Sequence, residues 1–452
     1  MFKKILLYFG LAITFILVAG SLLTYLNQDR IVQKFITEVN KNINTPIKAK
    51  HIGLSLWEKF PQLSVNLHQV WIQESLAQST DTLAEAANIY FTFGLWDILR
   101  GDFVIDQVHL ENAKVDLFVT EDGHNNFTII TRDTTKLKKE VAFKIDQINL
   151  KDVAINYQDR QRKQDFKLLA HDMQAGLEIE NDLYKIALLG NVTSEKIEIN
   201  KKQYFKDKPL SIDGSIDYHY NQRLVNIYPT KIGLNKSSFL VEGSYQSRPV
   251  GVMDIAVKGE DTDIQTVLSL LSEAEYKKYE AYRSDGDLYF EGSLKGQLND
   301  KHSPAIDLKF GCKEAAFYHP NYKKGVKNVN LTGHYYNPSI KDLSTAELTL
   351  ENVTGELDGR SFQGNLTLRD FTNYEIACDL DAVLNVNSLL QFYPIENLQQ
   401  ASGFVDLDIH MEGIVNAPNK KSSQNFVASG EINLDDLQFD LKQNNLPFRD
   451  FN

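Results

Sequence analysis

The run Ile5 to Leu26, ILLYFGLAITFILVAGSLLTYL, is uncharged, mostly apolar and directly preceded by Lys3 and Lys4. As a helix, its 22 residues extend roughly 33 Å, enough to cross a hydrocarbon core about 30 Å thick. Lysines ahead of such a run hold residues 1–4 in the cytoplasm and send the chain from residue 27 onward across the membrane. Tyr8 and Tyr25 stand near its two ends, where aromatic belts sit. The expectation is a single-pass anchor over 5–26, marked by Lys3, Lys4, Tyr8 and Tyr25. Val18, Ala19 and Gly20 are small enough for a signal-peptidase site, but the apolar run continues past them, beyond the usual h-region of about 7 to 15 residues. A lipoprotein signal would need cysteine where Ser21 stands.

The 452-residue chain is long for one compact core, which suggests several domains or an extended array. Its 25 Phe and 20 Tyr, among many Val, Ile and Thr, lean toward strands. Net charge is −12, and setting aside Lys3 and Lys4 leaves −14 for the exported part. Such a surface repels phosphate backbones and argues against a nucleic-acid partner. Cys312 and Cys378 are the only cysteines, so the chain is no disulfide scaffold, and whether the two are bridged stays open.

After the run, Ile31, Val32, Phe35, Ile36, Val39 and Ile43 recur at helical spacing and predict an amphipathic helix within 27–46, ended by Pro46. It either lies on the membrane or caps the first sheet, and the cap is favoured. The period then becomes two. Val65 and Leu67, then Val70 and Ile72, alternate with polar residues, and the phase slip at His68 and Gln69 predicts a bulge. Ile89, Phe91 and Phe93 continue the alternation, followed by a single helical turn over Leu95, Ile98 and Leu99 that Gly101 stops.

Ile105-Asp-Gln-Val-His-Leu110 and Ile145-Asp-Gln-Ile-Asn-Leu150 match almost letter for letter, 40 residues apart. A repeated unit of this size argues for stacking in one direction. Farther on, Ile264, Val267, Leu268 and Leu271 share the spacing of Val386, Leu389, Leu390 and Tyr393, 122 residues later. Both predict short helices, near 262–282 and 385–393, that lead into strands closing on glycine. Apolar-any-Gly-any-apolar recurs around Gly190, Gly214, Gly243, Gly292, Gly333, Gly364, Gly413 and Gly430, glycines that weaken a strand unless the backbone bends there. The clearest strand alternates Val405, Leu407, Ile409 and Met411 with Asp406, Asp408, His410 and Glu412, so one residue of slip would bury the charges. The chain stops at Asn452 soon after Phe448 and Phe451, which suggests truncation.

Motifs of chemistry are missing. The ten histidines are dispersed, His319 and His334 lack further ligands at metal spacing, and Asp406 with Asp408 reads as a solvated face. No nucleophile elbow, phosphate loop or dinucleotide fingerprint occurs, so neither an enzyme nor a cofactor is expected.

The phrases GLSLWEKFPQLSVNLHQVWIQES (Gly53 to Ser75), LWDILRGDFVIDQVHLENAKVDLFVTEDGHNNF (Leu95 to Phe127) and FKIDQINLKDVAINYQD (Phe143 to Asp159), behind an anchor, resemble the AsmA-like family of Gram-negative envelope proteins. The resemblance covers the first 160 residues; the rest, 161–452, matches only in style. It implies an inner-membrane anchor and a periplasmic body that is mainly β with short helices. That body would be an elongated, curled, antiparallel-rich β-groove of the bridge-like lipid transfer kind, with residues 47–160 as the N-terminal module and 161–452 as further groove repeats. Phospholipids or other acyl lipids are the implied cargo and the inner membrane the implied partner. Other envelope proteins are the alternative, with the chain acting as an assembly scaffold through strand addition. The candidate groove lining is Val65, Leu67, Ile105, Leu110, Ile145, Leu150, Val405, Leu407, Ile409 and Met411.

Overall fold

A computed structural model describes, with short breaks, residues 31–129, 143–318, 325–414, 426–441 and 447–451. The run 5–26, with Lys3, Lys4, Tyr8 and Tyr25, lies outside the described residues, as does His319. Among the described residues, no helix is long and apolar enough to cross a membrane. The chain is mainly β with short helices and divides into two compact units, Met1–Tyr220 and Asn221–Asn452. Residue 160 lies in a hairpin turn inside the first unit, so the end of the recognisable phrases is not a structural boundary.

Unit 1 contains β1 (Ile47–Ser55), β2 (Leu63–Gln73), β3 (Thr82–Phe93), β4 (Ile105–Val119), β5 (Phe143–Asp159), β6 (Gln164–Glu180), β7 (Leu183–Ile199), β8 (Lys202–Tyr204) and β9 (Lys208–His219). Neighbours in sequence pair antiparallel from β1 to β4 and from β5 to β7, and β7 carries both β8 and β9. The junction of β4 and β5 is parallel, and it is the 40-residue repeat paired with itself: Val108 faces Ile148, His109 faces Asn149 and Leu110 faces Leu150. Nearly identical phrases therefore lie side by side, running the same way.

Within unit 1 the apolar face of the first strands is covered. The helical segment 31–39 lays Ile31 and Phe35, each 5% exposed, against Val65, Leu67, Val70, Ile89 and Phe93. The Phe35 and Phe91 rings meet at 4.8 Å. The cap reading of this helix is the one the structure takes.

Unit 2 contains β10 (Leu224–Leu234), β11 (Ser237–Gln246), β12 (Gly251–Thr262), β13 (Arg283–Leu298), β14 (Ala305–Tyr318), β15 (Gly325–Asn337), β16 (Glu347–Leu357), β17 (Arg360–Arg369), β18 (Glu375–Asn385), β19 (Leu398–Ile414), β20 (Phe426–Leu441) and β21 (Pro447–Phe451). Each pairs antiparallel with the next, and among the described residues no second sheet packs on this one. Short helices Ile264–Leu268, Glu273–Tyr276 and Val386–Phe392 interrupt the ladder.

One tetrapeptide creases both units. It is apolar, charged or polar, polar, apolar: Leu67-His-Gln-Val70, Leu110-Glu-Asn-Ala113, Leu150-Lys-Asp-Val153, Cys312-Lys-Glu-Ala315, Val326-Lys-Asn-Val329, Leu350-Glu-Asn-Val353 and Leu434-Asp-Asp-Leu437. In every copy the third residue is left-handed, with φ between 48° at Glu314 and 53° at Asn328. The turn of backbone lets the first and fourth side chains share one face, which reverses the period-two phase and bends the strand. The freed amides are capped across the ladder: Glu314 N–H donates to Asn330 Oδ1 and Asn352 N–H to Asn365 Oδ1, each at 3.0 Å. Asn352→Val, a β-branched residue at φ 52°, should lower stability by about 1–3 kcal/mol, whereas Asn352→Gly should be near neutral, as read by urea unfolding.

Candidate functional site

The strands β18 to β20 set their apolar side chains opposite one another: Leu384, Val405 and Leu434; Ala382, Leu407 and Ile432; Leu380, Ile409 and Gly430; Cys378, Met411 and Ala428. Asp406, Asp408, His410 and Glu412 are exposed between them, while Val405, Leu407, Ile409 and Met411 are half-buried. Ile432 is 60% exposed: Leu407 faces it on one side, and among the described residues no strand pairs with it on the other. Among the described residues, only the short helix Val386–Phe392 lies over this face, at one end of it.

At one end of the face the ladder shifts between Ser402 and Phe404, where Gly403 (φ 102°) opposes the left-handed Asp436. The phase reverses there, and Ala401, Leu437 and Phe439 turn to the same side as Val405 and Leu407. With Leu384 and with Val386 and Leu389 of the short helix, they line a cavity of about 310 Å³ that, among the described residues, no polar side chain enters. That is near the lower bound of roughly 300 Å³ for ligand sites.

Caps fix the helix over this hollow. Asn385 Oδ1 accepts the Ser388 N–H at 3.0 Å, and the Ser388 hydroxyl donates to Asp358 Oδ2 in the β16–β17 turn at 2.8 Å. The earlier helix is held alike: Asp263 Oδ1 accepts the Thr266 N–H at 2.9 Å, and its other oxygen accepts the Thr266 hydroxyl at 2.7 Å. The repeat was read in the sequence from its helices on into the strands that follow them. It also includes Leu234-Asn-Lys-Ser-Ser-Phe239 and Leu357-Asp-Gly-Arg-Ser-Phe362, which a search for paired turns and caps would have found.

The ten expected lining residues separate into two groups. Val65 and Leu67 belong to the packed core of unit 1, with Ile105, Leu110 and Leu150 against it, and Ile145 is buried elsewhere in that unit. Only Val405, Leu407, Ile409 and Met411 stand on an uncovered face, and the first two reach the cavity. Cys378 joins their row; burial first, and then the Asp379 carboxylate, raises its pKa and keeps the thiol protonated. Cys312 and Cys378 are both free.

The polar clusters have structural roles. Lys59 Nζ lies 2.7 Å from Glu111 Oε1 and 4.5 Å from the Tyr90 ring centroid, strapping the β1–β2 loop across the sheet. Beside it, burial first and Lys59 second lower the pKa of His109. His334 pairs with Asp307 at 2.9 Å, and His410 with Asp379 at 2.6 Å. Among the described residues, no group of three or more His, Cys, Asp or Glu is placed to hold a metal ion. No protein-family model, curated protein or solved structure matches the chain.

Proposed function

We propose that the uncovered apolar face of unit 2 shields the acyl chains of phospholipids, in a protein anchored in the inner membrane through 5–26 with its bulk in the periplasm. The observation that carries the reading is Ile432, 60% exposed in an apolar row beside a wholly apolar cavity. An apolar surface of this kind is stabilised by whatever removes it from water, at about 25 cal/mol per Å². Hydrocarbon chains meet that need without a polar anchor, and successive rows of similar side chains offer equivalent positions along which a chain slides at little cost. The resemblance of the first 160 residues to the AsmA-like family supports the same reading.

Native mass spectrometry of the purified chain should show acyl lipid bound, and the delipidated chain should extract labelled phospholipid from vesicles. Bare protein that extracts none contradicts the proposal.

A further inference from the structure

The β1–β2 loop of unit 1 is fastened on either side of one exposed aromatic residue. Ser55 Oγ accepts the N–H of Trp57 and that of Glu58, each at 3.2 Å, and the Ser64 hydroxyl donates to the Ser55 carbonyl at 3.0 Å. Leu56, 4% exposed, belongs to the packed core. The Asn66 side-chain amide donates to Glu58, and Lys59 pairs with Glu111 at 2.7 Å. Trp57, between these tethers, is 59% exposed.

This loop lies at the end of unit 1 from which the helical segment 31–39 starts. Phe35 meets Phe91 at 4.8 Å and Phe93 at 6.3 Å, and Phe93 faces Leu63, where β2 begins. From there the chain runs to Pro46, whose carbonyl accepts the N–H of Gln73, the last residue of β2. The segment therefore travels away from the loop. Ile31, one helical turn before Phe35 and buried in the same core as Leu56, stands at its loop end. Only residues 27–30 separate Ile31 from the apolar run 5–26. Leu26 to Ile31 spans at most about 18 Å, so a bilayer crossed by that run has its surface close to this end of the sheet.

We propose that Trp57 seats in the head-group boundary of the bilayer that holds the anchor, making the β1–β2 loop a second attachment that orients unit 1. The contact rests on the reading of 5–26 as a membrane span. An indole joins a broad apolar surface to an N–H at its edge, which suits a boundary that is apolar on one side and wet on the other. Because its neighbours are already tied to the sheet, little ordering of the loop accompanies insertion. Glu58 and Lys59 reach back to Asn66 and Glu111, so the contact asks for no anionic lipid. Trp71, 41% exposed, supplies the control. It stands opposite Lys48 near the other end of β2, roughly 23 Å along the strand from Ser64.

The test is tryptophan quenching in the full chain reconstituted into phosphatidylcholine nanodiscs, with and without bromine on the acyl chains near the head group. Brominated lipid should quench part of the emission. Trp57→Phe should reduce the quenched part at least twofold, and Trp71→Phe should leave it unchanged. Each change replaces one exposed aromatic ring by another, so folding is kept. Co-elution with the discs separates the contact from the anchor. A chain that does not enter the discs contradicts the membrane span, and the Trp57 contact falls with it. A chain that enters while Trp57→Phe leaves the quenching intact overturns the contact alone. Equal losses from Trp57→Phe and Trp71→Phe overturn it too, because the strand would then lie flat on the lipid.

Discussion

Ile432→Asp should strip the chain of most of its bound acyl lipid while leaving its unfolding midpoint almost unchanged. The side chain is 60% exposed, so exchanging it at the surface should alter folding by no more than about 0.5 kcal/mol. It faces Leu407, a cavity-lining residue, across the ladder. A carboxylate there must lose water when an acyl chain lies down, at a cost of about 2 kcal/mol or more, or roughly thirtyfold in affinity. Asp408→Asn, on the exposed polar side of β19, supplies the control and should retain lipid. Mass-spectrometric counting of bound lipid checks both. If Ile432→Asp keeps its lipid, acyl chains do not use this face.

Gly243→Val should be among the most damaging single changes in unit 2, lowering stability by about 3 kcal/mol or more. Gly243 has φ 136°, where a side chain is strained, and an added Cβ would strike the Asp254 carbonyl and come within 2.8 Å of Ile255 Cα. Neither obstacle is a flexible side-chain tip that could swing away. Gly359→Ala, in a turn at φ 75° with nothing within 4 Å of the added Cβ, isolates the conformational part and should cost about 1 kcal/mol. Denaturant midpoints compare the two. Equal losses would show that close strand approach at Gly243 does not constrain the sheet.

Those two substitutions also show how far the sequence could be read. Period-two alternation in β19 placed Val405, Leu407, Ile409 and Met411 on one face because a slip of one residue would bury Asp406 and Asp408, and the observed register puts apolar partners opposite all four. The 40-residue repeat was equally readable, since like side chains in parallel register stand beside one another. Bends were only half legible. Of the eight glycines singled out, Gly190, Gly243, Gly413 and Gly430 have positive φ, whereas Gly333 makes room for the Phe310 ring. The phase slip at His68 and Gln69 did mark a bulge, with Gln69 left-handed at φ 50°, but the same device at Asn112, Asp152, Glu314, Asn328, Asn352 and Asp436 looks like ordinary polar positions unless the apolar phase on either side is compared.

The lining was the least readable part. Alternation says that Val65 and Val405 each face inward, but it says nothing about what lies opposite. Val65 meets the helical segment 31–39 and is fully buried, while Val405 borders a hollow. That difference depends on residues far away in sequence, and on a phase reversal at Gly403 and Asp436 that neither strand shows alone.

The most direct measurement places a photoreactive phenylalanine analogue singly at Ile432, Leu407 or Asp408 and identifies what each captures when cells are illuminated. Acyl lipid captured at the first two positions and not at Asp408, whose side chain lies on the opposite face of the same strand as Leu407, is the predicted result. Capture of protein alone at Ile432 and Leu407, or equal lipid capture at all three, would contradict it.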